Sequence, residues 1–141
     1  MKKLILLLSI LFFVSCSSSD QDEIEPVNQI VGEWHFYSST IADLDTVYDE
    51  CKQNGYFLFL KNGTGREVIY SNNPPYGCVL DSTKNLQWSF NGSEYEIKTF
   101  SGGSYAGVSS FGITYQYIGK ISNEFLKIPV GYSEIINLKK D

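Results

Sequence analysis

From Gln29 onward the chain alternates apolar and polar residues in short runs, and no long stretch repeats apolar positions at helical spacing. Val, Ile, Tyr, Phe, Trp and Thr cluster in these runs, while Gly, Asn, Ser and Pro separate them. That is the pattern of strands joined by turns. It predicts eight strands, over residues 30–38, 56–60, 66–70, 86–90, 95–100, 111–121, 124–129 and 132–139. In the first, Trp34, Phe36 and Ser38 share one face and His35, Tyr37 and Ser39 the other. Asn62-Gly63 and Asn91-Gly92 sit between runs, and Asn-Gly tolerates the positive φ angles of a two-residue hairpin. Asn72-Asn73-Pro74-Pro75-Tyr76-Gly77 is a loop, because each proline removes a donor and fixes φ. Leu86, Trp88 and Phe90 alternate cleanly with polar neighbours, as do Ile113, Tyr115 and Tyr117 downstream.

Consecutive antiparallel strands with tight turns can close on themselves, which removes sticky sheet edges, or can split into two packed sheets. The expected fold is the closed one, an all-β, eight-stranded antiparallel up-and-down barrel. No repeat of fixed period points to a solenoid or propeller.

The first 28 residues follow other rules. Met1-Lys2-Lys3 gives a positive start, residues 4–14 are apolar apart from Ser9, and Val14-Ser15 leads to Cys16, which together read as a signal peptide. The apolar run is too short to span a bilayer, which takes about 20 residues. Phe13-Val14-Ser15-Cys16 resembles the lipobox of bacterial lipoproteins. The resemblance implies cleavage before Cys16, a lipidated thiol and tethering to a membrane; a plain secretory signal beside an incidental thiol is the alternative. Residues 17–26 are polar and acidic, with too little apolar surface to fold, so 16–28 read as a flexible tether. The stretch also resembles the Ser- and Asp-rich export signals of surface-exposed lipoproteins, and Ser17 fits outer-membrane sorting. The division is a signal peptide over 1–15, a tether over 16–28 and one domain over 29–141, since a chain of this length builds a single core.

The formal charge of −5 becomes about −7 once Lys2 and Lys3 are removed, which opposes binding to nucleic acid. With Cys16 taken by lipid, Cys51 and Cys78 remain as an even pair in an oxidising compartment and are expected to form a disulfide; two buried free thiols are the alternative.

Ile30-Val31-Gly32-Glu33-Trp34 resembles the Gly-x-Trp opening strand of lipocalins, and the order of features from there to Lys139 is similar to the lipocalin-like domains of bacterial lipoproteins. The resemblance includes Cys51 before the second strand, the hairpin over 59–65, Cys78 ahead of Leu80-Asp81-Ser82, and Trp88-Ser89-Phe90 leading into a turn. It departs at residues 101–110, a Gly- and Ser-rich segment longer than that family's hairpin. The family's barrels hold a ligand, dock a protein or do neither, so fold transfers better than function.

No catalytic constellation is visible, and neither an enzyme, a cofactor nor a metal site is expected. His35 is the only histidine and reads as a surface residue. Asp43, Asp45, Asp49 and Glu50 crowd the first long loop without the spacing of an EF-hand, and read as solvated. Glu67, Glu94 and Glu96 alternate with apolar residues and are expected to face outward. What exceeds ordinary needs is the aromatic load, 10 Tyr and 9 Phe. Converging inside a barrel, these rings either fill it or line an apolar pocket in which phenols fix a ligand's polar end. Phe59, Trp88, Tyr115 and Tyr117 are the candidate ligand-binding residues for a small apolar or amphipathic molecule. The rival reading is a solid barrel whose loops, through Tyr48, Tyr76 and Tyr105, contact a protein or glycan.

Overall fold

A computed structural model describes residues 29–105 and 108–141, with side chains except at 102–111, 113 and 114. The expected signal peptide over 1–15, Cys16 and the expected tether over 16–28 fall outside the described residues. No described helix is long and apolar enough to cross a membrane.

The alternating runs do form strands. In chain order they are β1 (Gly32–Ile41), β2 (Leu44–Val47), the short helix α1 (Glu50–Gln53), β3 (Tyr56–Phe59), β4 (Thr64–Asn72), β5 (Cys78–Phe90), β6 (Tyr95–Tyr105), β7 (Val108–Ser122), β8 (Phe125–Val130) and β9 (Glu134–Lys140). From β3 to β9 each strand pairs antiparallel with the next, and β9 pairs back onto β1, which also pairs with β3. The result is a closed eight-stranded antiparallel barrel, with β2 as a ninth strand beside it.

β1 explains how β2 is accommodated. Its first half, residues 32–35, pairs with β3, and its second half, residues 38–41, pairs with β2 on that same edge. Where β3 has ended, α1 fills the wall between β1 and β4, and Phe36 N donates to Gly55 O at 3.1 Å. Asp49 caps α1 by accepting from Lys52 N at 2.8 Å. Cys51 on α1 is disulfide-bonded to Cys78 at the start of β5, with Cα atoms 5.4 Å apart.

The core fills the end of the barrel from which the chain enters. Ile30 plugs it, in one buried cluster with Trp34, Phe59, Trp88, Leu126 and Leu138. Trp34 Nε1 donates to Ile30 O at 2.7 Å and Trp88 Nε1 to Leu60 O at 3.0 Å, so both indoles are buried with their polar atoms satisfied. Phe59 lies 6.0 Å from Phe57 in a stacked arrangement and 6.4 Å from Trp88 edge-on.

Several expectations are corrected. β2 lies in the segment read as loop; all four of its residues are exposed, so no buried face marks it, and its turn takes positive φ at Ala42 and Asp43, without an Asn-Gly signal. β5 begins eight residues before position 86, because its first half pairs with β4 while its ladder to β6 covers only residues 85–90; with little of that half buried, the apolar alternation is lost. β6 and β7 continue into the Gly- and Ser-rich segment, paired from Ser101 opposite Gly112 to Tyr105 opposite Val108. At both Asn-Gly sites only the glycine has positive φ, and the loops are longer than two residues: Asn62 and Asn91 use their side-chain oxygens to accept from Thr64 N and from Ser93 N and Glu94 N. In β1 a bulge between Phe36 and Ser38 shifts the alternation. Ser39, opposite Ile136, therefore continues the interior row, while Ser38 accepts from Asn137 Nδ2 on the other face.

Candidate functional site

Cross-strand neighbours share a face, so the register fixes what looks into the barrel. Phe59 faces Gly65 and Phe57 faces Glu67; Glu67 faces Lys84; Leu86 faces Thr99, and Thr99 faces Tyr115, with Ile97 opposite Tyr117. Moving along the barrel from the Ile30 plug, the interior passes from Phe59, Trp88 and Leu126 to Phe57, Ile97 and Tyr117, and then to Glu67, Lys84, Thr99 and Tyr115. The lining thus changes from apolar to polar away from the Ile30 end, towards the level at which α1 stands in the wall.

Glu67 is 3% exposed, and Lys84 Nζ donates to its Oε2 at 3.1 Å. The ammonium also sits 4.9 Å from the centre of the Tyr115 ring, a cation–π arrangement. Tyr115 stacks 6.0 Å from Tyr117, whose ring meets Phe57 edge-on at 6.4 Å. Tyr115 is half exposed at 52%, so the cluster reaches solvent. Thr99 is fully buried, and its Oγ1 has no hydrogen-bond partner among the described residues. A buried hydroxyl left unpaired costs about 1–3 kcal/mol.

The same setting acts on the phenols. Burial first, then the Glu67 charge and the neighbouring Tyr115, hold the Tyr117 hydroxyl well above the usual tyrosine range. Tyr48, which packs 6.3 Å from Phe36, is also raised by burial, partly offset by a hydrogen bond with Ser39 and reinforced by Glu134. Lys52 of α1 lies 4.7 Å from the Phe36 ring and 5.9 Å from that of Tyr48.

An opening Gly-x-Trp strand, an antiparallel up-and-down barrel closed by its last strand and a plugged apolar end together specify one architecture. The lipocalin-like domain family matches the chain over residues 30–118, more than half of its length. The chain belongs to the lipocalin-like family. Neither the curated proteins nor the solved structures contain a match.

Within this lipocalin-like barrel, the four candidate ligand residues divide into two pairs. Tyr115 and Tyr117 come together on β7 at the polar end, whereas Phe59 and Trp88 lie in the apolar floor, packed on each other. Glu94 and Glu96 face outward as expected, paired with Lys120 at 2.9 Å and Lys98 at 3.1 Å. Glu67 does not: it points inward, and with Lys84 it is the part of the site that sequence reasoning missed. A signal was available, because a hairpin turning at Asn62-Gly63 that aligns Phe59 with Gly65 also aligns Phe57 with Glu67. Of the loop tyrosines, Tyr76 is exposed, Tyr48 is partly buried against Phe36, and the side chain of Tyr105 lies outside the described residues. The acidic loop residues disperse: Asp49 caps α1 and also accepts from Asn72 Nδ2, while Asp45 accepts from Thr40 Oγ1.

Proposed function

We propose that this lipocalin-like protein is a non-enzymatic binder of a small amphipathic or apolar molecule, anchored through a lipid on Cys16 at the outer membrane. The observation that carries the ligand reading is the Glu67–Lys84 pair held inside the barrel beside the half-exposed Tyr115. Placing two charges there costs desolvation energy that an apolar pair of similar volume avoids, so the arrangement is poor for stability alone and suited to meeting a polar group. Tyr115 and Tyr117 offer phenols where the cluster reaches solvent, Thr99 Oγ1 lies buried without a partner on the same wall, and Phe57 and Ile97 are the apolar side chains packed behind them. Phe59 and Trp88 then form the floor that sets how deep a ligand's apolar stem can go. The family's fold is consistent with this class of ligand.

The test uses the domain from Gln29 onward, titrated calorimetrically with laurate, dodecanol and dodecylamine, which share a chain and differ in head group. At least one should bind one-to-one with a micromolar Kd, and Lys84→Met and Tyr115→Ala should each weaken it about tenfold or more. No heat from any of the three would reject the ligand reading. The anchor is tested separately by mass spectrometry of the membrane-extracted chain, which should carry acyl mass on Cys16, and by Cys16→Ser, which should release the protein from the membrane fraction.

A further inference from the structure

The outer wall of the barrel carries a second cluster. Glu33 and His35 stand two residues apart on β1 and so share its outward face, opposite the interior Trp34. The β1–β9 ladder pairs Trp34 with Lys140, and Asp141 N continues it by donating to Glu33 O at 3.4 Å, which sets Asp141 beside Glu33. His35 Nε2 is 2.9 Å from Glu33 Oε1 and 3.2 Å from Asp141 Oδ2, and one ligand atom from each residue lies within 4.8 Å of the others.

The ring is aimed. His35 Nδ1 is 3.0 Å from Gln53 O, an acceptor without a proton, so Nδ1 carries the hydrogen and donates. Tyr56, with its ring centre 5.7 Å away, flanks the imidazole. Nε2 and the two carboxylate oxygens then face one small volume, where a bound cation would stand in place of the hydrogen between them. Backbone-fixed Nδ1–H with Nε2 free is the arrangement in which histidine ligates metals. A tetrahedral zinc with bonds of about 2.0–2.1 Å spaces its ligands roughly 3.3 Å apart, so the 2.9 and 3.2 Å separations from Nε2 need to open by a few tenths of an ångström, while the two carboxylate oxygens, within 4.8 Å of each other, settle to the same spacing.

The surroundings suit a cation. A cleft of about 590 Å³, lined by His35, Asp141 and Glu50 of α1 among others, opens over the cluster and leaves room for water to complete the coordination. Lys139 and Lys140 also line it; the Lys140 ammonium is drawn out of it, whereas that of Lys139 stays at its rim beside Tyr37, itself part of the lining. Lys139 lies 5.7 Å from the Tyr37 ring; Lys140 donates to Gln29 O at 3.1 Å and lies 5.5 Å from the Trp34 ring.

We propose that Glu33, His35 and Asp141 form a binding site for a borderline divalent cation of the zinc class. One nitrogen and two carboxylate oxygens match that class, since hard cations such as calcium take oxygen ligands alone and soft ones seek sulfur. The site is on the outside of the barrel and independent of the ligand proposed for the interior.

The test uses the full chain carrying Cys16→Ser, so that no free thiol competes, titrated with zinc chloride by calorimetry. One zinc per chain with a micromolar Kd is expected, weakened at least tenfold by His35→Gln and by the double change Glu33→Gln, Asp141→Asn. His35 is the only histidine, so its Nε2 resonance gives an unambiguous second readout in the unmutated ring: it should shift by tens of ppm on adding zinc while Nδ1 keeps its hydrogen bond. Absence of one-to-one binding up to millimolar zinc, binding unchanged in His35→Gln, or an Nε2 signal that stays put would each overturn the proposal and leave the three residues a hydrogen-bonded surface cluster.

Discussion

Tyr117 shows how one side chain reports on its surroundings. Its hydroxyl is raised by burial and by the nearby Glu67 charge, so the folded protein holds that proton more tightly than the unfolded chain does. An acid whose folded pKa is raised contributes stability that is complete below the unfolded value, about 10 for tyrosine, and is lost as pH climbs past it. Above that pH the unfolded state sheds the proton first, with a slope on the order of 1.4 kcal/mol per pH unit for each such group. Tyr48 and Tyr95, both raised mainly by burial, act in the same direction. Denaturant midpoints measured from pH 8 to 11 should therefore fall beyond pH 10, and Tyr117→Phe should flatten the fall by removing one of the three contributions. An equally steep decline in the variant would mean that the Tyr117 hydroxyl is well solvated.

The elements most exposed to loss are α1 and the distal β4–β5 hairpin, since neither sits on the Ile30 core. The Cys51–Cys78 bond, 27 residues apart in sequence, staples one to the other. Loop closure over that separation restricts the unfolded chain by about 3.5 kcal/mol, a large share of a small domain's net stability. Replacing both cysteines by serine should lower the unfolding free energy by roughly 2–4 kcal/mol, read from guanidinium titrations, and should loosen α1 before the floor of the barrel. A loss below about 1 kcal/mol would show that packing alone holds α1 in place. The cysteine pair was legible because it depended on a count, two cysteines remaining once Cys16 is set aside. The strands around the core were legible for a similar reason, since Trp34, Phe57, Leu86, Trp88 and Leu138 each bury one side of an alternating run. β2 and the first half of β5 bury little, so their existence rests on backbone ladders that leave no trace in side-chain chemistry. Glu67 was hidden for the opposite reason. A charge in a strand reads as outward, and only the register joining it to Lys84 reverses that reading.

At the scale of the whole barrel, closure is uneven. β9 pairs with β1 over nearly its whole length, and with β8 from Phe125 opposite Lys139 to Val130 opposite Glu134. Between β7 and β8, in contrast, the ladder runs only from Lys120 opposite Lys127 to Ser122 opposite Phe125. Just beyond it Gly119 packs close to Leu126, since a β-carbon there would lie 3.0 Å from Leu126 Cδ1. Past that point the strands part, and the wall loosens beside Tyr115 and Tyr117. On the proposed ligand reading the barrel needs one segment of low local stability, and this seam is the place where the fewest backbone bonds have to open. Amides alternate in direction along an antiparallel strand, so every second N–H between residues 115 and 119 points away from β6. In the free protein these should exchange with solvent about 100-fold faster than the amides of β9, which lie between two strands. A ligand lying against Tyr115 and Tyr117 would close the seam and slow them selectively, leaving β3 and β4 unchanged. Protection across the seam equal to that of β9 before any ligand is added would place the entrance elsewhere, under α1.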